Sequence, residues 1–195
     1  MNDDYSQPDF YRFNSDSIEL VREIIGRNCH YSSILDLGAG CGIIGIEIAK
    51  KIMPSNLVLL ELQEEFFPHL VHNCKTFLPS QIRYDIIINS FYQFESILKF
   101  DLIVCNPPYY LPGKGVISKN PLRAKSRSFI IDSWKILLSK IVHLLEPRGK
   151  AFIVLKEDPV LFNKISLELN LLEFRLSKIS TGQLMILELS SLDKK

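Results

Sequence analysis

No apolar run in the 195 residues approaches the roughly 20 that a membrane-spanning helix needs. The first nine residues are acidic and polar and hold no apolar core of a signal peptide. Both absences lead to the expectation of a cytoplasmic protein that does not engage a membrane. The chain has 4 cysteines, Cys29, Cys41, Cys74 and Cys105, and no Cys-x-x-Cys pair. Three lie in or beside apolar segments, so reduced and mostly buried thiols are expected, not a disulfide scaffold. His69, His72 and Cys74 fall on one predicted helix with no obvious further ligands, and no metal is expected. Net charge is only +1, whereas a protein that works through phosphate contacts is often far more basic. Whole-chain charge therefore gives no support to nucleic-acid binding. Internal repeats and a clear linker are also missing. One domain over residues 1–195 is expected, flexible over 1–9 and simplest as a monomer.

What is present is a 47% hydrophobic chain, enough for a buried core. Asp16 followed by Glu19 reads as a helix start, with Ile18, Val21 and Ile25 on one face and Gly26 as a stop. Strands are predicted at 33–37, 57–61, 83–88, 100–105 and 150–155, and two more close the chain at about 172–178 and 184–188. Helices are predicted at about 43–53, from the second strand through Lys75 with irregular first turns at Pro68, to Leu145 before Pro147-Arg148-Gly149, and near 159–169. Alternating strands and helices imply a mainly parallel, doubly wound α/β sheet covered on both faces. Its ligand crevice lies at the carboxyl ends of the strands. The unusual residues sit at those ends: Asp36 to Gly42, Glu61, Asn89, and Asn106 to Tyr109.

Glycines after the first strand allow a sharp turn and close approach of a ligand to the backbone. Gly40-x-Gly42-x-x-Gly45 fits a dinucleotide fingerprint. Asp36-x-Gly38-x-Gly40-x-Gly42 fits an S-adenosylmethionine loop, where the acid faces the ammonium end of the cofactor directly or through water. Glu61 suits the ribose hydroxyls of either, so it does not discriminate. Asn106-Pro107-Pro108-Tyr109 does. Two prolines hold the chain extended and remove two backbone donors, leaving carbonyls to accept. The Asn106 side-chain oxygen and the Pro107 carbonyl suit the two hydrogens of a conjugated NH2 group, and Tyr109 offers a flat face for stacking. Those acceptors favour a pyramidal nitrogen and stabilise the positive charge that grows on it during methylation. A planar glutamine amide satisfies the motif as well as an adenine does. Pro112 to Ile131 contains Lys114, Lys119, Arg123, Lys125 and Arg127 and no acid. Directly after the motif, that loop suits phosphates flanking a base. Phe10, Tyr11 and Phe13 suit either closure over base or cofactor, or core packing.

With these residues the chain resembles the class I methyltransferases, and within them the bacterial tRNA(Val) adenine-N6 methyltransferase family. Phe10-Tyr11-Arg12-Phe13-Asn14-Ser15-Asp16-Ser17 resembles its Tyr-Arg-Phe-x-x-Asp opening segment. Asp36 to Gly42 resembles its glycine loop, and Glu61-Leu62-Gln63 the end of its second strand. Asn106 to Tyr110 resembles its catalytic stretch, and Pro121-Leu122-Arg123-Ala124-Lys125-Ser126-Arg127 its Pro-x-Arg-Ala-x-x-Arg. The resemblance implies a Rossmann-like, mostly parallel seven-stranded sheet with the last strand antiparallel. It implies S-adenosylmethionine held by Asp36, Gly38, Ala39, Gly40, Gly42, Glu61, Leu62, Asn89, Ser90, Phe91 and Asn106. Transfer falls to Asn106, Pro107, Pro108 and Tyr109. A tRNA substrate falls to Tyr11, Arg12, Phe13, Tyr109, Tyr110, Lys119, Arg123 and Arg127. The alternatives are a protein-glutamine (release factor) methyltransferase or an rRNA or DNA amino-methyltransferase. Release-factor enzymes usually carry a helical domain ahead of the glycine loop, and only 35 residues precede Asp36.

Overall fold

Strands buried on both faces need apolar side chains at most positions, and the central strands have them apart from the fully buried Asp36 and polar residues near the strand starts. The computed structural model describes residues 4–107 and 133–192. In it β1 (Ser33–Leu37), β2 (Asn56–Glu61), β3 (Arg83–Ile88), β4 (Phe100–Cys105), β5 (Leu145–Lys156), β6 (Phe174–Thr181) and β7 (Leu184–Ser191) form one sheet in the order β3-β2-β1-β4-β5-β7-β6. The first five run parallel, and β7 is antiparallel to both β5 and β6. The side-chain period of two divides each central strand between two cores. Ile34, Leu57, Leu59, Leu102 and Val104 face α1 (Ser15–Gly26), α2 (Ile43–Ile52) and α3 (Phe67–Phe77). Leu35, Leu37, Val58, Leu60 and Ile103 face α4 (Ser133–Leu144) and α5 (Pro159–Leu171). The expected Rossmann-like α/β fold is therefore the observed one. Among the described residues no helix is long and apolar enough to cross a membrane.

Register places the functional strand ends level with one another. Leu37 pairs with Leu60 on one side and Cys105 on the other, and Glu61 pairs with Ile88. Strand order reverses between β1 and β4, the point where open α/β sheets form their crevice. The glycine loop and Asn106 thus leave adjacent, paired strands on the same side of the sheet.

Four expectations need correction. Asp16 does not cap α1. Asn14 holds the cap position, Asp16 lies in the first turn, and the Asn14 side-chain amide donates to Asp16 Oδ2 (2.9 Å). The buried face of α1 is Asp16, Ser17, Leu20, Val21 and Ile24: Val21 is buried as expected, whereas Ile18 and Ile25 are only half-buried. β5 begins at Leu145, immediately after α4, so Pro147-Arg148-Gly149 is part of the strand and not a stop ahead of it. Leu145 already pairs with Phe100, and the register then shifts so that Lys150 pairs with Leu102. A side chain at Gly149 would stand 2.8 Å from the Phe100 carbonyl oxygen, which explains the glycine in that close crossing.

Residues 4–9 are tied down rather than loose. Tyr5 is 4% exposed, donates from Oη to Glu47 Oε1 (2.7 Å) and stacks on Phe77. The Ser6 amide donates to Asn73 Oδ1 (2.9 Å). Asn73 Nδ2 donates in return to the Ser6 carbonyl and also to the Cys41 carbonyl (2.8 Å). One buried asparagine therefore fastens the N-terminal segment to the end of the glycine loop.

Candidate active site

The loop after β1 turns back because three of its glycines take positive φ: Gly38 at 81°, Gly40 at 57° and Gly42 at 85°. The Gly38 and Ala39 amides donate to the Leu60 carbonyl (2.8 and 2.9 Å), and the Gly42 amide donates to the Ala39 carbonyl. Among the described residues nothing lies within 4 Å of where a Gly38 side chain would stand. This is the cradle that a ligand needs if it is to lie against main-chain atoms.

Two carboxylates lie under and beside this cradle. Glu61 is 7% exposed and spends its oxygens on the main chain. Oε2 accepts from the Gly40 amide (2.8 Å), and Oε1 accepts from the Leu62 and Gln63 amides (2.9 Å each). Asp36 is fully buried. Its Oδ2 accepts from the Gly45 amide in the first turn of α2 (2.8 Å), and Oδ1 has no hydrogen-bond partner among the described residues. Burial pushes its pKa up to about 7 from 3.8. The Glu61 charge adds to that rise and the Gly45 hydrogen bond opposes it. An orphaned carboxylate oxygen beneath a glycine cradle fits a cationic ligand group, reached directly or through water.

The raised pKa has a measurable consequence in the ligand-free protein. The carboxyl binds its proton more tightly folded than unfolded. Its contribution to stability is therefore complete below its ordinary pKa of 3.8 and is lost as pH rises through about 7. Asp36→Asn should flatten the stability profile between those limits. Urea unfolding at a series of pH values reads this directly, and parallel profiles for parent and variant would refute it.

β3 ends in Asn89, whose backbone amide donates to the Glu61 carbonyl (2.9 Å) and whose Oδ1 accepts from the Ser90 amide (2.8 Å). The Ser90 carbonyl accepts from the Gln93 and Phe94 amides, and Phe91 stacks on Tyr92 with centroids 4.1 Å apart. Leu62 is exposed beside Glu61. All the cofactor-side residues expected from the sequence thus stand along one line of strand ends.

Asn106 follows β4 directly, and its Nδ2 donates to Ser17 Oγ in α1 (3.0 Å). Pro107 is buried behind it. The expected participants Pro108, Tyr109, Tyr110, Lys119, Arg123 and Arg127, with the rest of the basic loop, lie outside the described residues. Tyr11 and Phe10 meet Phe66 edge-on (centroids 5.1 and 5.6 Å), and Tyr11 Oη is 3.7 Å from where a Gly40 side chain would stand. Tyr11 therefore borders the glycine loop. Phe13 packs edge-on against Tyr5, and Arg12 donates to the Pro8 and Tyr11 carbonyls (2.9 and 2.6 Å). Ser17 and Phe66 are site residues that the sequence reading missed. An aromatic five residues past Glu61 and a serine 89 residues before Asn106 carry no local signal. His69 pairs with Ser6 Oγ (2.7 Å), and no group of three or more metal-ligating side chains occurs among the described residues.

The family model for the methyltransferase small domain matches residues 16–173. The tRNA1(Val) (adenine(37)-N6)-methyltransferase of Glaesserella parasuis serovar 5 (strain SH0165) is 31% identical over 147 residues, which are 75% of this chain and 60% of that protein. The protein of the same name from Bacteroides thetaiotaomicron is 29% identical over 126 residues, 64% of this chain and 52% of its own. The chain thus spans between half and three fifths of the length of these curated relatives. Among solved structures, the ribosomal protein L11 methylase of Lactobacillus delbrueckii subsp. bulgaricus has a TM-score of 0.66 at 18% identity, covering 92% of this chain and 80% of that one. The N-methyltransferase NodS of Bradyrhizobium japonicum WM9, in complex with S-adenosyl-l-homocysteine, has a TM-score of 0.62 at 16% identity, covering 98% and 94%.

Proposed function

The chain belongs to the methyltransferase small-domain family, and from that premise we propose that it carries a methyl group from S-adenosylmethionine to the exocyclic N6 amino group of an adenine in tRNA. One observation supports the reading above all. Asn106 leaves β4 on the same side of the sheet as the glycine loop, with Cys105 and Leu37 paired at the last step. An acceptor for an amine and a cradle for a methyl donor thus share one crevice. The names of the curated relatives support tRNA as the substrate.

In this reading Asp36 takes the ammonium group of the methionine end, directly or through water, with the oxygen that has no donor among the described residues. The backbone from Gly38 to Gly42 lies against the cofactor. Glu61 receives ribose hydroxyls while still holding the Gly40 amide, and Asn89 pairs with the adenine ring without charge. When bound, S-adenosylmethionine supplies a methyl already activated by its sulfonium, so no covalent enzyme intermediate is required. The protein's own task is at the amine. An adenine N6 lone pair is delocalised into the ring and is a poor nucleophile. Asn106 Oδ1 and the Pro107 carbonyl accept its two hydrogens, turn the lone pair out of the ring plane, and stabilise the positive charge as it develops.

Purified tRNA treated with the protein and S-adenosylmethionine should yield N6-methyladenosine on nucleoside mass spectrometry. Label that enters a release factor while the RNA stays unmodified would replace the substrate assignment.

A further inference from the structure

Ser17 is 2% exposed, sits in the first turn of α1, and its hydroxyl receives the Asn106 carboxamide nitrogen at 3.0 Å. A buried serine at that point in a helix brings no gain in helix propensity over alanine. A hydroxyl so buried needs a partner, and the partner found is the residue on which the proposed transfer depends. We propose that Ser17 is a positioning residue for methyl transfer: by anchoring Asn106 Nδ2, it turns Asn106 Oδ1 toward the target amine.

The inference rests on the role given to Asn106 above. An asparagine amide rotates in a broad torsional well. Its two ends have opposite hydrogen-bonding sense, so an amide turned over presents NH2 to the substrate's NH2, donor against donor. A bond at the nitrogen end restrains both the plane and the sense of the amide. The platform is rigid. Leu20, Val21 and Ile24 of α1 are buried in the core, and the Asn14 and Ser15 side chains close the helix start onto Asp16. Among the described residues the Ser17 hydroxyl makes its hydrogen bond with Asn106, whereas the carboxylates of the cofactor cradle accept from backbone amides. Its effect should therefore fall on the rate of transfer and not on cofactor affinity.

The test compares Ser17→Ala and Ser17→Cys with the parent. Cysteine fills the same space with a poor acceptor. Both variants should lose about tenfold in single-turnover transfer to tRNA, with cofactor dissociation constant, KM for tRNA and thermal midpoint near those of the parent. In the Asn106→Ala background, Ser17→Ala should add no further loss, because nothing remains to be positioned. A full rate for the cysteine variant would assign Ser17 to packing and overturn the proposal, as would additive losses in the double variant. A second measurement needs no substrate. The 15N–1H resonances of the Asn106 side-chain amide, identified by their disappearance in Asn106→Ala, should shift in Ser17→Ala. An unchanged pair would overturn the anchoring. A parent protein inactive on RNA would defeat the proposed reaction, and the amide resonances would still decide whether Ser17 holds Asn106.

Discussion

Asn106→Ala should lower single-turnover methyl transfer to tRNA by about 10²–10³-fold, the usual cost of removing one acceptor or donor aimed at charge that develops in a transition state. The direction follows from the nitrogen's electronics. In the proposed reaction adenine N6 gains positive charge as it attacks, and the carboxamide oxygen has the task of facing that charge. The fold should survive. The lost bond to Ser17 Oγ is part-buried and costs on the order of 1 kcal/mol, and the strand pairing that ends at Cys105 is untouched. Asn106→Asp is the informative companion. It keeps an acceptor at the amine and removes the Nδ2 donor, so Ser17 must donate to it instead. A rate intermediate between alanine and the parent is expected. Rapid-quench measurement of labelled methyl in RNA reads both variants, and an Asn106→Ala rate within tenfold of the parent would move the reaction away from this crevice.

The parts of this site that could be read in advance are those encoded locally. β1, β3 and β4 begin and end at the residues expected, because each is a short apolar run ended by glycine or asparagine. The crevice followed from their alternation with helices, since several unusual residues sat at strand ends. The missed features all rest on distant partners. Ser17 meets Asn106 across 89 residues, Tyr5 meets Glu47 across 42, and Ser6 meets Asn73 across 67. The face of α1 was misjudged for a related reason. Apolar periodicity assigns Asp16 and Ser17 to solvent, whereas both are buried, Asp16 against the Asn14 and Ser15 side chains and Ser17 against Asn106. The shift of register in β5 depends on Phe100, which only the assembled sheet brings to Gly149.

Glu61 illustrates the same gap between a residue's identity and its task, and it yields the second large expected effect. From the sequence it is a partner for ribose hydroxyls. In the structure it also binds three main-chain amides, one of them from the glycine loop. Glu61→Gln preserves the shape and removes one acceptor. With its oxygen toward Leu62 and Gln63, the glutamine sets its NH2 against the Gly40 amide, donor against donor. With the oxygen toward Gly40, two amides are opposed instead. The first arrangement is the less costly, and it releases a loop whose three positive-φ glycines have a strong need of restraint. Loss of one charge-assisted bond at a buried position, together with that opposition, should destabilise the protein by about 2–4 kcal/mol and lower its thermal midpoint by roughly 5–15 °C. Cofactor affinity should fall by at least about 100-fold, because the ribose loses a charged acceptor and the cradle its shape. Differential scanning fluorimetry and titration calorimetry with S-adenosylhomocysteine measure the two effects separately. A variant with the parent's midpoint and weakened binding would confine Glu61 to the ligand, whereas a lowered midpoint with unchanged binding would confine it to the loop. The proposed cofactor placement makes both change together, since the carboxylate that holds the Gly40 amide is the one assigned to the ribose.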